Sequence, residues 1–199
     1  MREGKSRLVS GPVEGGDVEP GKVSSRHVHT GRVISLDVDT VRLPDGSVRE
    51  MDMIHHSGAA AVVPFLSDPT GADPQILLIR QYRYAAGGYL WEIPAGRLDA
   101  GEAPIACAHR ELREETGCTA TAMIPLTGFL TTPGFTDEKI HIFMATGLSV
   151  GESAREADEF IEVSAKPLSE VLAMIERGEI IDAKTLVGIL FAAGFRMGR

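Results

Sequence analysis

Residues 96–118 read GRLDAGEAPIACAHRELREETGC, and this stretch decides the fold. Pro104 suits a first helical turn, Ile105, Ala108 and Leu112 recur on one face, and Gly117 is a natural C-terminal cap. That spacing predicts a helix over 103–116. On it, Glu111 and Glu115 lie one turn apart on the same face, with Glu114 beside them. Like charges so placed repel by roughly 0.2–0.5 kcal/mol on an exposed helix. A solvated glutamate-rich face tolerates that repulsion, and a cation between the carboxylates removes it. Glutamate oxygens are hard ligands suited to Mg²⁺, Mn²⁺ or Ca²⁺, and no His/Cys cluster points to zinc. Arg110 is spaced to pair with Glu102 across the loop or with Glu114 along the helix.

Outward from the helix, residues 59–66 (AAAVVPFL), 75–82 (QILLIRQY) and 90–93 read as buried strands. Further strands are expected near 125–131, 138–146 and 160–164. Two helices close the chain. The first starts near Pro167 and stops before Gly178, and the second runs from an Asp182 N-cap toward Phe195. Mixed strands with helices between and after them indicate an α/β sandwich. Before this domain, Val33, Leu36, Val38 and Val41 form one β-branched stretch and residues 48–54 another, separated by the Pro44-Asp45-Gly46 turn. A hairpin-sized sheet of this kind is too small to be stable alone. Residues 1–23 are rich in Gly, Glu and Pro without periodicity and are expected to form a mobile arm.

The whole chain has 199 residues, 43% of them hydrophobic, enough for one domain with a real core. Lys and Arg total 20 against 28 Asp and Glu, a net charge of −8. That balance, with no basic stripe, excludes a nucleic-acid coat and implies that an anionic substrate needs a cation to mediate its binding. No apolar run approaches the roughly 18–20 residues of a spanning helix, so no membrane partner is expected. Cys107 and Cys118 are too few for a disulfide scaffold, and residues 1–21 contain no apolar signal segment. A cytoplasmic protein is expected.

Gly96, Glu102, Arg110, Glu111, Leu112, Glu114, Glu115 and Gly117 together occupy every specified position of the Nudix box, and the sequence resembles the Nudix hydrolases. Cys118 stands where an aliphatic or aromatic residue is usual and fills an apolar slot. Residues 80–83 (RQYR), 91–96 (WEIPAG) and 132–138 (TPGFTDE), with Pro133 following Gly117 by 16 residues, resemble the ADP-ribose pyrophosphatase branch. The resemblance covers about residues 24–195. It implies an α/β fold: a Nudix α/β/α sandwich with a mixed sheet over 58–199, preceded by a small antiparallel sheet over 24–57. That sheet commonly crosses to a partner in this branch, which implies a homodimer with shared substrate sites.

The resemblance also implies roles. Glu111, Glu115 and the backbone carbonyl of Ala95 would ligate Mg²⁺, with Mn²⁺ a possible substitute, and Glu114 would contribute directly or through water. Glu102 and Arg110 would support these ligands, and Gly96 would allow the tight loop that brings Ala95 to the metal. The general base is expected on a later loop, with Glu159 the first choice and Glu156 the second. Arg83 is the candidate phosphate contact, a surface salt bridge being the other reading. Glu138 would contact substrate or hold its loop. Trp91 is read as packing beside residues 94–96 rather than as a base platform. His55 and His56, consecutive in a strand, point to opposite faces and are not read as a metal site. One departure concerns the base: residues 32–55 contain no Phe, Tyr or Trp to stack on adenine, leaving Val33 or Met51 for apolar contact. The implied reaction is hydrolysis of ADP-ribose to AMP and ribose 5-phosphate. The alternatives are another nucleotide sugar such as GDP-mannose or ADP-glucose, a non-catalytic nucleotide sensor, or a nucleoside-triphosphate pyrophosphatase.

Overall fold

The computed structural model describes residues 19–151 and 161–196. The chain divides into two compact units, with the division between Met53 and Ile54.

The first unit is a three-stranded sheet of order β1-β2-β3, formed by β1 (Gly21–Thr30), β2 (Ser35–Arg42) and β3 (Val48–His55). The expected turn closes between β2 and β3. Gly46 sits at φ +81°, and the Asp45 carboxylate accepts from the Ser47 amide and hydroxyl at 2.9 and 2.6 Å. Sequence reading placed only two strands here. β1 is exposed along its whole length, so no apolar alternation betrays it. It is held by antiparallel pairing to β2 from Gly21↔Arg42 to Thr30↔Ser35.

In the second unit, β4 (Ala59–Pro64) lies at the centre. It pairs in parallel with β9 (Lys139–Val150) and antiparallel with β7 (Ala95–Arg97), and β8 (Cys118–Leu130) completes a mixed sheet of order β7-β4-β9-β8. A second, antiparallel sheet of order β10-β5-β6 joins β5 (Gln75–Arg83), β6 (Gly88–Glu92) and β10 (Ile161–Pro167).

β4 is buried on both faces, as its unbroken apolar run requires. Ala60 and Val62 pack in a cluster with Cys107, Ala108, Leu112 and Phe143 beneath α1 (Pro104–Thr116). Ala61 and Val63 pack in another with Ile93, Ile142, Val171 and Ile189, which brings in α2 (Leu168–Glu176) and α3 (Ala183–Phe191). This is the expected α/β/α arrangement. A fully buried side chain such as Leu112 or Ile142 contributes about 1.5–3 kcal/mol relative to exposure.

α1 begins on Pro104 and ends at Gly117, whose φ of +73° lets its N–H reach the Arg113 carbonyl at 2.9 Å. Its buried face carries Cys107, Ala108, Glu111, Leu112 and Glu115. Ile105, expected on that face, is 45% exposed, because only the positions from Cys107 onward reach the sheet. Among the described residues, no helix is long and apolar enough to cross a membrane.

Candidate active site

The turn after β6 brings the backbone of Ala95 and Gly96 against α1. Glu115 is 2% exposed, and its Oε2 accepts from the Ala95 amide at 2.9 Å. Glu111 is 7% exposed and lies so near Gly96 that a Cβ there would sit 1.8 Å from Glu111 Oε1. Only glycine leaves room for that carboxylate, which gives Gly96 a steric reason beyond turn formation.

One guanidinium organises the other acids. Arg110 donates from Nε and Nη2 to the two Glu102 oxygens at 2.9 and 2.8 Å, and from Nη1 to Glu111 and Glu114 at 2.5 and 3.1 Å. Nη2 also reaches the Arg97 carbonyl at 3.0 Å. The expected alternatives for Arg110, pairing with Glu102 or with Glu114, are both realised. The Arg110 hydrogen bonds, with one from the Asp99 amide, hold the Glu102 carboxyl at a pKa of about 2. The Arg110 guanidinium is correspondingly raised, first by Glu102. Burial pushes the Cys107 thiol up to about 12, so it is a packing group and not a nucleophile.

Among the described residues, no group of three or more His, Cys, Asp or Glu side chains is gathered closely enough to hold a metal ion by itself. Arg110 holds three of the glutamates around its own edge instead. The donor chemistry still suits a hard divalent cation: two buried carboxylates, Glu111 and Glu115, lie against a backbone cradle that a Cβ would fill.

A cleft of about 440 Å³ opens beside this turn, lined by Ala95, Gly96 and Arg97 together with Arg83, His56, Thr131, Thr132, Glu138, Asp182 and Lys184. Arg83 is 40% exposed and makes a two-pronged bond to Glu92, Nε to Oε1 and Nη2 to Oε2, both 2.8 Å. Glu92 is 1% exposed and also accepts from Lys184, which bonds in turn to Asp182 at 3.0 Å. Burial works to raise the Glu92 carboxyl, but Arg83 and Lys184 together hold it below its ordinary value. Arg83 is thus held in a salt bridge, as one of its two readings expected, and stands on the cleft wall. Sequence reading passed over Lys184 and took Asp182 only as a cap. Asp182 does cap α3, accepting from the Thr185 amide at 3.0 Å, and that cap places Lys184 in the first helical turn.

Glu138 lines the same cleft and accepts from Thr131 Oγ1 at 2.9 Å. His55 bonds to Asp137 at 2.6 Å, and the His56 amide donates to the same carboxylate at 2.9 Å, tying residues 55 and 56 to the 132–138 loop within the second unit. Trp91 packs on the core, with the Arg80 and Lys166 cations near its ring, and is not among the cleft residues. Glu156 and Glu159 lie outside the described residues.

Residues 56–186, the span from the cleft histidine to α3, match the NUDIX domain. The chain belongs to the NUDIX family. Within that family it is 39% identical over 176 residues to the ADP-ribose pyrophosphatase of Bacillus subtilis (strain 168), covering 87% of this chain and 92% of that protein. It is 37% identical over 175 residues to the methanol dehydrogenase activator of Bacillus methanolicus, with the same coverage of 87% and 92%. Its Nudix fold matches the crystal structure of an ADP compounds hydrolase with a TM-score of 0.77 at 20% identity, over 91% of this chain and 96% of that one.

Proposed function

We propose that this chain is a divalent-metal-dependent pyrophosphatase that hydrolyses ADP-ribose to AMP and ribose 5-phosphate. The observation that carries the reading is the Glu111–Glu115 pair, buried against Ala95 and Gly96 beside a cleft that also presents Arg83. The similarity to the Bacillus subtilis enzyme supports ADP-ribose as the substrate.

Glu111, Glu115 and the Ala95 carbonyl would hold Mg²⁺, or Mn²⁺ in its place, with Glu114 completing the acidic face. A divalent cation held there would supply charge neutralisation for the pyrophosphate and a more acidic bound water. Arg110 fixes the rotamers of Glu111 and Glu114, and its fork to Glu102 keeps its own position. Arg83 contacts a phosphoryl oxygen with the guanidinium edge left over from Glu92. A loop glutamate, Glu159 or else Glu156, takes the proton from water. Water oxygen bonds to one phosphorus, the anhydride P–O bond breaks, and each product leaves with one phosphate.

The N-terminal sheet exposes Val23, Val28, Val48 and Met51, and its β1–β2 connection exposes Val33. Such a sheet gains stability by crossing to a second copy, so the working unit is a homodimer. The test is a Mg²⁺-dependent assay of purified protein on ADP-ribose, GDP-mannose, ADP-glucose and dNTPs, with products identified by mass. A tenfold lead of ADP-ribose in kcat/KM, about 1.4 kcal/mol of transition-state preference, supports the reading, and a lead by another substrate replaces ADP-ribose.

A further inference from the structure

Lys184 has no part in the chemistry above, yet this cation lines the cleft with a side chain only 11% exposed. Its ammonium bonds to two carboxylates, Glu92 and, at 3.0 Å, Asp182. The next residue, Thr185, is fully buried. Its Oγ1 donates to Asp182 at 2.6 Å and accepts from the Ile93 amide at 2.9 Å. The first turn of α3 is thus fastened to two consecutive residues where β6 ends, to Ile93 through Thr185 and to Glu92 through Lys184. Glu92 in turn anchors Arg83 by its two-pronged bond, and among the described residues Arg83 Nη1 bonds to nothing. Glu92 first, against burial, and then Glu115 and Asp182 through space raise the Arg83 guanidinium above its ordinary value. Arg83 therefore feels both of the carboxylates that Lys184 holds.

The charge balance of these four groups shows what the lysine does. With it, Arg83 and Lys184 balance Glu92 and Asp182. Without it, one cation faces two carboxylates, and the group carries a net negative charge where an anionic pyrophosphate must approach. The ammonium is a compact point charge, and two carboxylates already share it. Its effect on a phosphoryl group is therefore indirect. We propose that Lys184 is a positioning residue for substrate binding: it neutralises Glu92, so that Arg83 anchors on that carboxylate and still offers its charge to a phosphoryl group. This rests on the pyrophosphatase reading and adds to it a residue whose action passes through Glu92.

Lys184→Met removes the charge and keeps most of the stem. Since the charge it offsets sits on Glu92, the deciding variant combines Lys184→Met with Glu92→Gln, in which Arg83 and Asp182 balance again. The probe is ADP-ribose, or whichever nucleotide sugar leads in the assay above, with thermal melts run in parallel. Lys184→Met should raise KM about tenfold, with a smaller change in kcat, the scale of coupling between charged neighbours. Adding Glu92→Gln should bring KM back to within about twofold of Glu92→Gln alone, the usual spread when one effect is absent. A lysine that only supports the fold predicts losses that add. One that touches the phosphoryl group predicts a KM penalty that persists without the Glu92 charge. Either result overturns the proposal, and so does Lys184→Met with unchanged KM. Should Lys184→Met fail to fold, the double variant, which no longer buries the Glu92 charge, decides alone: KM equal to that of Glu92→Gln supports the proposal, and a higher KM overturns it. A wild type that turns over no nucleotide sugar overturns the pyrophosphatase reading itself, and this assignment with it.

Discussion

Arg110 grips Glu102 with two parallel bonds, Nε to Oε1 at 2.9 Å and Nη2 to Oε2 at 2.8 Å, while its remaining nitrogen, Nη1, holds Glu111 and Glu114. The guanidinium has donors for all of this at once, whereas an ammonium is a point charge. Arg110→Lys should therefore retain the fold and lose the fork. We expect activity or apparent metal affinity to fall about 10–100-fold, the usual effect of removing a group that orients ligands. A Mg²⁺ titration of initial rates checks it, and an unchanged titration curve would show that the glutamates hold their positions unaided.

Glu102 sets a pH dependence of stability. Its folded pKa of about 2 lies below the ordinary 4.5, so the bound carboxylate stabilises the fold above the unfolded value. That contribution is lost as pH falls from about 4.5 toward 2. The melting temperature of wild type should exceed that of Glu102→Gln at pH 6, and the gap should narrow steadily between pH 5 and pH 3. A gap that stays constant over that range removes Glu102 as its source.

At Gly96 the space for a side chain is already taken. Alanine there places Cβ 1.8 Å from Glu111 Oε1, and either the buried carboxylate or the turn must move. A displacement on the scale of 1 Å at a catalytic centre costs on the order of 100-fold in rate. Gly96→Ala should lose about that much kcat, with circular dichroism showing the same secondary structure. Full activity in this variant would mean that Glu111 is free to occupy another position.

The helix bearing these glutamates was legible from sequence because its signals are local: Pro104 at one end, Gly117 at the other, acids at turn spacing between them. The core strands were legible because burial on both faces leaves a continuous apolar run, as in β4. What escaped had no local signal. β1 is exposed throughout and owes its existence to backbone pairing with β2. Lys184 reads as one more surface lysine on a closing helix, because its partner Glu92 stands 92 residues earlier in the chain. His56 reads in sequence as half of a histidine pair whose strand alternation argues against a metal site. Its neighbour Glu138 reaches it only through the fold of the 132–138 loop.

Glu92 carries the last prediction, since a single buried carboxylate serves two cations on the cleft wall. Glu92→Gln preserves shape and removes the charge, leaving Arg83 and Lys184 facing a neutral amide. Removing one member of a buried ion pair costs about 3–5 kcal/mol when the survivor stays buried. Arg83 is 40% exposed and turns partly to water, and Lys184 keeps Asp182, so the loss here falls below that range. We expect about 1–3 kcal/mol, the cost of leaving a buried polar group unsatisfied, read from urea denaturation. The same substitution unties Arg83 from its two-pronged anchor, so a contact to phosphoryl oxygens becomes less ordered and KM for ADP-ribose should rise. Arg83→Ala separates the two effects. It should raise KM at least as far, while its stability loss reports only the Arg83 side of the pair. A Glu92→Gln enzyme with reduced stability and unchanged KM would place Arg83 in the framework of the cleft rather than on the substrate.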